Sequence, residues 1–218
     1  MELYFTRHGK TQWNDERRFQ GRDGDSPLLA QSYTEIQAFG ERVKDIPFEK
    51  IYSSTAKRAR DTAKGINQML THPVEIVYDE SLKELGLGEL EGQRIEEMYE
   101  KYPDALPYLR SRLDLYDPTP FSGEPIEEVI DRIEKCVVEA VKKTKGPLLF
   151  VGHGASFTAA IQSMTGKELK DLREMGGLFN SSLTILETTE PENQLPYTMK
   201  LWNETDFLGE DAIRKPLL

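Results

Sequence analysis

Two kinds of segment alternate along this chain, and that alternation restricts the fold more than any other property. Short runs rich in β-branched and aromatic residues predict six strands, at residues 3–6, 51–53, 74–78, 148–151, 183–186 and 199–202. Between them, apolar residues recur with a helical period, at residues 36–43, 56–70, 126–143, 157–164 and 169–175. Such a pattern predicts an α/β protein of three layers, with a mostly parallel central sheet flanked by helices.

One segment, about residues 94–122, interrupts this alternation. Prolines punctuate a run of leucines and aromatic residues there, at Pro103, Pro107, Pro118 and Pro120. A length of 218 residues suits one domain, or one domain with a subdomain. We therefore predict a single domain over residues 1–218 that carries a small helical cap, inserted at about residues 94–122.

The composition is that of an ordinary globular protein, with 38% hydrophobic and 30% charged residues. No apolar run approaches 20 residues and no signal-like segment follows Met1, so the chain is expected to be cytoplasmic and not to bind membranes. The single cysteine, Cys136, excludes an intramolecular disulfide. No cluster of cysteine and histidine has the spacing of metal ligands, so no metal is expected.

The net charge of −10 argues against nucleic acid as a partner, because affinity for a phosphate backbone comes from an excess of lysine and arginine. Positive charge is concentrated locally instead. Between Arg7 and Arg22, five basic side chains stand against two acidic ones. A small anion would suit this segment, although a solvated loop of mixed charge explains it equally well.

Polar residues follow four of the predicted strands at the points where they end. The four groups are Arg7-His8-Gly9, Ser53-Ser54 with Arg58, Glu84, and Gly152-His153-Gly154. In an open α/β sheet, ligands bind at the carboxyl ends of parallel strands. The sequence therefore predicts that two histidines, two arginines and a carboxylate meet at one edge of the sheet.

Each of these residues has a plainer explanation when it is taken alone. An Arg-His-Gly tripeptide arises by chance in about one percent of chains of this composition. Its place at a strand end raises its significance, because the glycine lets a ligand approach the backbone. Two of the three histidines share this arrangement, whereas His72 lies in a predicted loop and is given no role.

The arginine and the carboxylate are chosen by their places in the predicted elements. Arg58 lies in the first turn of a helix, where its guanidinium can bind two phosphate oxygens beside the helix N-terminus. Arg60 is assigned to a solvated face. Glu84 lies in a mostly apolar stretch, which suits a proton donor to a leaving oxygen, but Glu89 and Glu91 compete for that role.

Together these motifs resemble those of the histidine phosphatase superfamily, the phosphoglycerate-mutase-like family with an Arg-His-Gly signature. The resemblance covers almost the whole chain, and its motifs are Arg7-His8-Gly9 with Thr11 and Asn14, Phe19-Gln20-Gly21, Ser53-Ser54 with Arg58-Ala59, Leu82 and Glu84 with Gly88 and Glu91, Gly123-Glu124, and Gly152-His153-Gly154.

The resemblance implies a role for each matching residue. His8 would be the nucleophile, and Arg7, Arg58 and His153 would bind the phosphoryl group. Glu84 would donate a proton. The motif also places Asn14, Gln20 and Gly21 around the substrate phosphate. Neither a metal nor another cofactor is implied.

The function that follows is hydrolysis of small phosphorylated metabolites through a phosphohistidine, with a small-molecule phosphomonoester as partner. A cofactor-dependent phosphoglycerate mutase is one alternative. It is less favoured, because residues 85–92 resemble the phosphatase branch and the predicted cap offers only Arg110 and Arg112 to a substrate carboxylate. A non-catalytic phosphate-binding module is the other, although no core residue is missing here. The oligomeric state is left open.

Overall fold

A six-stranded sheet runs through the computed structural model, which describes residues 1–188 and 194–209. Its strands are β1 (Glu2–Arg7), β2 (Lys50–Ser54), β3 (Ile76–Asp79), β4 (Leu148–Gly152), β5 (Leu183–Glu187) and β6 (Thr198–Glu204). They lie in the order β3-β2-β4-β1-β5-β6. The first four strands pair in parallel, and β5 and β6 are antiparallel. The predicted mostly parallel sheet is confirmed.

Helices cover both faces of this sheet. They are α1 (Gln12–Asp15), α2 (Ala30–Val43), α3 (Lys57–Met69), α4 (Ile95–Lys101), α5 (Leu106–Ser111), α6 (Ile126–Lys143) and α7 (Gly154–Met164). Side chains alternate along each strand, so Phe5 and Phe150 join the core of α6 and α7, whereas Tyr4 and Leu149 join that of α2 and α3. The three predicted layers are therefore present. Within the described ranges, no helix is both long and apolar enough to cross a membrane.

The segment 94–122 folds as two short helices, α4 and α5, followed by single 3₁₀ turns at Leu113–Leu115 and Thr119–Phe121. Its apolar side chains, such as Leu106, Leu109 and Phe121, are fully buried in the core that α6 and α7 share. The single-domain organisation and the status of this segment as an insertion stay predictions. Residues 189–193 and 210–218 of the predicted domain lie outside the described residues.

The helix predicted at residues 169–175 is wrong. The chain forms one 3₁₀ turn, Leu169–Asp171, and then continues through turns. Backbone bonds there join residues three apart, including Glu174 N–H to Asp171 O (3.1 Å) and Gly176 N–H to Arg173 O (3.0 Å). The apolar residues also recur at intervals of three, which is the period of a 3₁₀ turn rather than that of an α-helix. Gly176, with φ +73°, then ends the turns.

Parallel pairing brings three strand ends together. In the register of β1 and β4, Arg7 lies opposite Gly152, and Ser53 of β2 lies opposite Val151 of β4. The backbone N–H of His8 then donates to the carbonyl of Gly152 at 2.9 Å, which continues the ladder beyond the strand. The residues that follow β1, β2 and β4 consequently share one edge of the sheet.

Candidate active site

His8 lies directly after β1, and its neighbours fix the proton on its ring. Nδ1 is 2.7 Å from the carbonyl oxygen of Gly9, which can only accept, so Nδ1 carries the proton. Nε2 accepts from Nε–H of Arg58 at 3.2 Å. Burial, together with the charges of Arg58 and Arg7, holds the pKa of His8 well below its ordinary value of 6.5. His8 is therefore a neutral imidazole with its lone pair on Nε2.

His153 follows β4 as the N-cap residue of α7 and has the opposite tautomer. Its Nδ1 lies 3.1 Å from Nη2 of Arg58, a donor, so Nε2 carries the proton and donates to Oγ of Ser54 at 2.7 Å. Burial, and then the charge of Arg58, lowers the pKa of His153 well below 6.5. The two histidine rings are 5.2 Å apart between centroids.

Arg58, the second residue of α3, connects the two histidines. It is 1% exposed, and all three of its nitrogens donate hydrogen bonds. Besides His8 and His153, the guanidinium binds the carbonyls of Gly21 (2.9 Å) and Gly24 (2.7 Å) and a carboxylate oxygen of Asp25 (3.2 Å). Burial lowers the pKa of Arg58, and Asp25 opposes that shift. A positive charge is thus held beside both rings.

Arg7, the last residue of β1, brings a second buried guanidinium. Its Nη1 donates to the carbonyl of Leu178 at 2.9 Å, while Nε has no partner in the described part of the chain. A side chain at Gly154 would stand 3.0 Å from this guanidinium, so glycine there lets Arg7 lie against the start of α7. Burial lowers the pKa of Arg7 to about 10.

Glu84 is the one of three competing carboxylates that lies at this edge of the sheet. Its oxygens accept from the backbone N–H groups of Leu85 (2.9 Å), Ala155 (3.0 Å) and Ser156 (2.7 Å), so it is fixed at the N-terminus of α7. Glu91 instead binds the loop after Gln20 through the N–H groups of Gly21 and Gly24, and Glu89 is exposed.

Asn14, Gln20 and Gly21 lie in the segment that connects β1 to α2. Oδ1 of Asn14 accepts from the N–H of Thr11 (3.1 Å), and the amide of Gln20 exchanges hydrogen bonds with the hydroxyl of Thr11. The N–H of Gly21 is taken by Glu91, and its carbonyl accepts from Arg58. Gly21 therefore helps to hold Arg58, whereas Asn14 and Gln20 bind Thr11, and the contact of all three residues with a substrate phosphate stays a prediction.

The sequence interpretation missed two residues at this edge. Asn180 donates through Nδ2 to the carbonyl of His8 at 2.8 Å, and Arg173 is a third buried arginine, 6% exposed. Neither follows a parallel strand, so no pattern in a single sequence would have found them. Over residues 1–188 and 194–209, no group of three or more His, Cys, Asp or Glu side chains could hold a metal ion.

Comparison with known proteins agrees with this geometry. The family model described as "Histidine phosphatase superfamily (branch 1)" matches residues 3–205. The chain belongs to the histidine phosphatase superfamily. Both the predicted family and the predicted fold are therefore confirmed, and the chain is an enzyme of the histidine phosphatase superfamily.

Similar proteins include both a probable phosphoglycerate mutase and a phosphatase. The chain is similar to the "Probable phosphoglycerate mutase GpmB" of Citrobacter koseri, with 33% identity over 169 residues, 76% of this chain and 75% of that protein. Among solved structures it is similar to Bacillus stearothermophilus YhfR, with a TM-score of 0.86, 29% identity and coverage of 95% and 99% of the two chains. It is also similar to a mycobacterial glucosyl-3-phosphoglycerate phosphatase in complex with VO3, with a TM-score of 0.82 and 25% sequence identity. The match covers 94% of this chain and 99% of that chain.

Proposed function

We propose that the protein hydrolyses small phosphomonoesters through a phosphohistidine on His8. The observation that carries this proposal is the tautomer of His8. Because Nδ1–H is bound to the carbonyl of Gly9, the lone pair of Nε2 points to the guanidinium of Arg58, where an anionic phosphoryl group would bind. A nucleophile and the positive charge that would hold its target are thus adjacent.

In the first step, Arg58 turns its Nε–H from His8 to a phosphoryl oxygen, which releases the lone pair of Nε2. Arg7 contributes its Nε–H, which has no partner among the described residues. Nε2 then attacks phosphorus, and the bond to the leaving oxygen breaks as Glu84, which has taken up a proton from solvent before this step, gives that proton to the leaving oxygen. The Nδ1–H of His8 stays bound to Gly9, so the phosphorylated ring is an imidazolium that the phosphoryl charge balances.

Nδ1 of His153 accepts a hydrogen bond from Arg58, so a neutral His153 has no proton on that atom to give a phosphate oxygen. An arriving phosphate dianion favours the charged form of a neighbouring histidine. A proton taken up with the substrate then makes Nδ1 of His153 a donor to the phosphoryl group. Its Nε2–H stays on Ser54 throughout.

In the second step, water attacks phosphorus and the bond from phosphorus to Nε2 breaks. Glu84, now ionised, takes a proton from that water, so the same carboxyl group serves both steps. Charge on the transferring group is stabilised by Arg7, Arg58 and His153, and the proposal therefore includes no metal and no other cofactor. The cytoplasmic location and the exclusion of nucleic acid stay predictions from composition and charge.

The second candidate is phosphoglycerate isomerisation, which the similarity to GpmB favours. A mutase returns the phosphoryl group to a second oxygen of the substrate, whereas a hydrolase passes it to water. Incubation with 3-phosphoglycerate and a trace of 2,3-bisphosphoglycerate separates the two reactions, with His8→Ala as the inactive control. We expect release of inorganic phosphate and little 2-phosphoglycerate. Rapid formation of 2-phosphoglycerate with negligible phosphate would exclude the hydrolase.

A further inference from the structure

Arg173 is a buried arginine with two unsatisfied nitrogens. Its Nε and Nη2 atoms are inaccessible to water and have no hydrogen-bond partner within the described ranges. These two nitrogens form one edge of the guanidinium, on which their N–H bonds are parallel. That edge binds the two oxygens of a carboxylate most directly. Burying an unpaired charge is costly, which points to a ligand that completes it.

Two tyrosine hydroxyls share this environment. The hydroxyls of Tyr99 and Tyr116, both on the segment 94–122, are buried and likewise have no partner in the part of the chain that the structure describes. Both rings lie close enough to Arg173 to influence its pKa, and burial raises the pKa of each tyrosine, so both keep their protons. Arg173, Tyr99 and Tyr116 are therefore neighbouring side chains with buried, unsatisfied donors, which an anion would satisfy.

The position of Arg173 relates it to the leaving group. Glu84 is the carboxylate that most strongly raises the pKa of Arg173, and Arg173 in turn lowers that of Arg7, so the three side chains are neighbours. In the proposed mechanism, Glu84 protonates the leaving oxygen. A group attached through that oxygen would then lie near Arg173.

The loop that carries Arg173 is held firmly. The carbonyl of Arg173 accepts from Gly176 N–H at 3.0 Å, and Nε1 of Trp202, on β6, donates to the carbonyl of Met175 at 3.0 Å. By contrast, Arg112, which the sequence offered to a substrate carboxylate, is exposed and paired with Asp114 at 2.6 Å. Arg173 is thus preorganised, and Arg112 is already satisfied.

We infer that Arg173, Tyr99 and Tyr116 form a subsite for a carboxylate on the leaving group, so that the substrates are phosphorylated hydroxy acids. This inference rests on the proposed function, because the subsite is defined relative to Glu84 and the leaving oxygen. It narrows the proposed small phosphomonoesters to those that carry a second negative charge.

The test compares substrates that differ only in the carboxylate. The pairs are 2-phosphoglycolate with ethyl phosphate, and 3-phosphoglycerate with glycerol 3-phosphate. The quantity measured is the carboxylate preference, defined as kcat/KM of the substrate with the carboxylate divided by kcat/KM of its partner without it. A general effect of a mutation on the phosphate site changes both values equally and leaves this ratio unchanged. We expect a preference in the wild type that Arg173→Met lowers roughly 10-fold to 100-fold, since hydrogen bonds between charged groups are lost. Arg112→Met is the matched control and should leave the preference unchanged.

Stability distinguishes a subsite from a structural role. Replacing an unpaired buried cation by an apolar side chain of similar length should raise Tm, whereas loss of a structural arginine lowers it. Tyr116→Phe removes only a hydroxyl and keeps the packing, so it should lower the preference several-fold. If Arg173→Met does not fold, the carboxylate preference of Tyr116→Phe tests the subsite instead: a preference equal to that of the wild type would overturn it.

The outcomes separate the two proposals. If ethyl phosphate and glycerol 3-phosphate are hydrolysed but the preference is near one, or is insensitive to both variants, the subsite is overturned and the hydrolase stands. Ethylene glycol bisphosphate, which carries a second phosphate in place of the carboxylate, is a further test substrate. If its kcat/KM exceeds that of 2-phosphoglycolate, and Arg173→Met removes this difference, the assignment of the subsite to a carboxylate is wrong. If no phosphomonoester is hydrolysed, the proposed function fails and the subsite falls with it.

Discussion

The protonation state of His8 follows from two neighbours, one of which can only accept a hydrogen bond and the other only donate one. The carbonyl of Gly9 can only accept a hydrogen bond, and Nε–H of Arg58 can only donate one. A charged ring would place two cations in contact inside the protein, so the buried histidine stays neutral. The same reasoning applies to His153, between Arg58 and Ser54.

These buried neutral histidines should make the fold sensitive to acid. Their pKa values in the folded state lie below 6.5, so their contribution is complete above that pH and is lost as the pH falls towards the folded values. Between about pH 7.5 and about pH 5, the wild type should lose more unfolding free energy than His8→Asn, by at most about 1.4 kcal/mol per pH unit. Denaturant titrations at each pH measure the unfolding free energy of both proteins. If the unfolding free energies of the wild type and His8→Asn depend on pH in the same way, the prediction is contradicted.

Glu84 should matter most when the leaving oxygen is a poor one. Glu84→Gln keeps the shape of the side chain but has no proton to give, so kcat/KM for an alkyl phosphate should fall about 100-fold to 10,000-fold. For p-nitrophenyl phosphate the loss should be much smaller, because nitrophenolate leaves without a proton. Exposed Glu89→Gln is the control. Equal losses on both substrates would show that Glu84 does not act as the acid.

Among single residues, those at strand ends could be predicted from sequence, because parallel pairing alone brings Arg7, His8 and His153 together. Arg173 could not be predicted in this way. It lies in a loop about 20 residues after His153, and its burial depends on tertiary packing, which no local pattern encodes.

At the level of elements, the loop that carries Glu84 is positioned by α6 rather than by the sheet. Arg132 of α6 donates to the carbonyls of Ser81 (2.6 Å), Lys83 (2.7 Å) and Glu84 (3.0 Å). Its guanidinium also binds Glu124, whose carboxylate accepts from the N–H of Gly86 at 2.8 Å. Arg132 therefore acts as a positioning residue for the acid.

Removing this contact should reproduce a weaker form of the Glu84 defect. Arg132→Met should lower kcat/KM for an alkyl phosphate about 10-fold to 100-fold, with a smaller loss for p-nitrophenyl phosphate, because a small misplacement of a catalytic group is enough to cost such factors. Arg132→Lys should not restore activity, since an ammonium cannot bind several carbonyls at once. Exposed Lys135→Met, on the same helix, is the control. A loss independent of the leaving group would indicate a purely structural role.

Long periodic elements could be predicted from sequence, and short ones could not. All six strands and the longer helices lie where apolar periodicity places them. The four-residue helix α1 has a capping box between Thr11 and Asn14, in which asparagine takes the place of the usual glutamate or glutamine. At residues 169–175, an apolar period of three is too close to that of a helix to be separated without knowledge of the backbone bonds.

At the scale of the whole molecule, the net charge and the local charge at the site have opposite signs. The chain carries a formal net charge of −10, yet three buried arginines, Arg7, Arg58 and Arg173, lie near Glu84, and Asp25 additionally pairs with Arg58. Such a site concentrates positive charge where solvent cannot screen it, which suits a dianionic phosphoryl group. Only the assembled fold produces this contrast, because the arginines are far apart in sequence.

The central claim is that His8 carries the phosphoryl group between substrate and water. Rapid mixing with ³²P-labelled substrate in the presence of a chelator, followed by quenching and peptide mapping, tests it directly. We expect an acid-labile, base-stable phosphate on the peptide that contains His8. It should form at least as fast as the enzyme turns over and should be absent from folded His8→Ala. Turnover by His8→Ala at the wild-type rate, or a phosphate on any other residue, would contradict it.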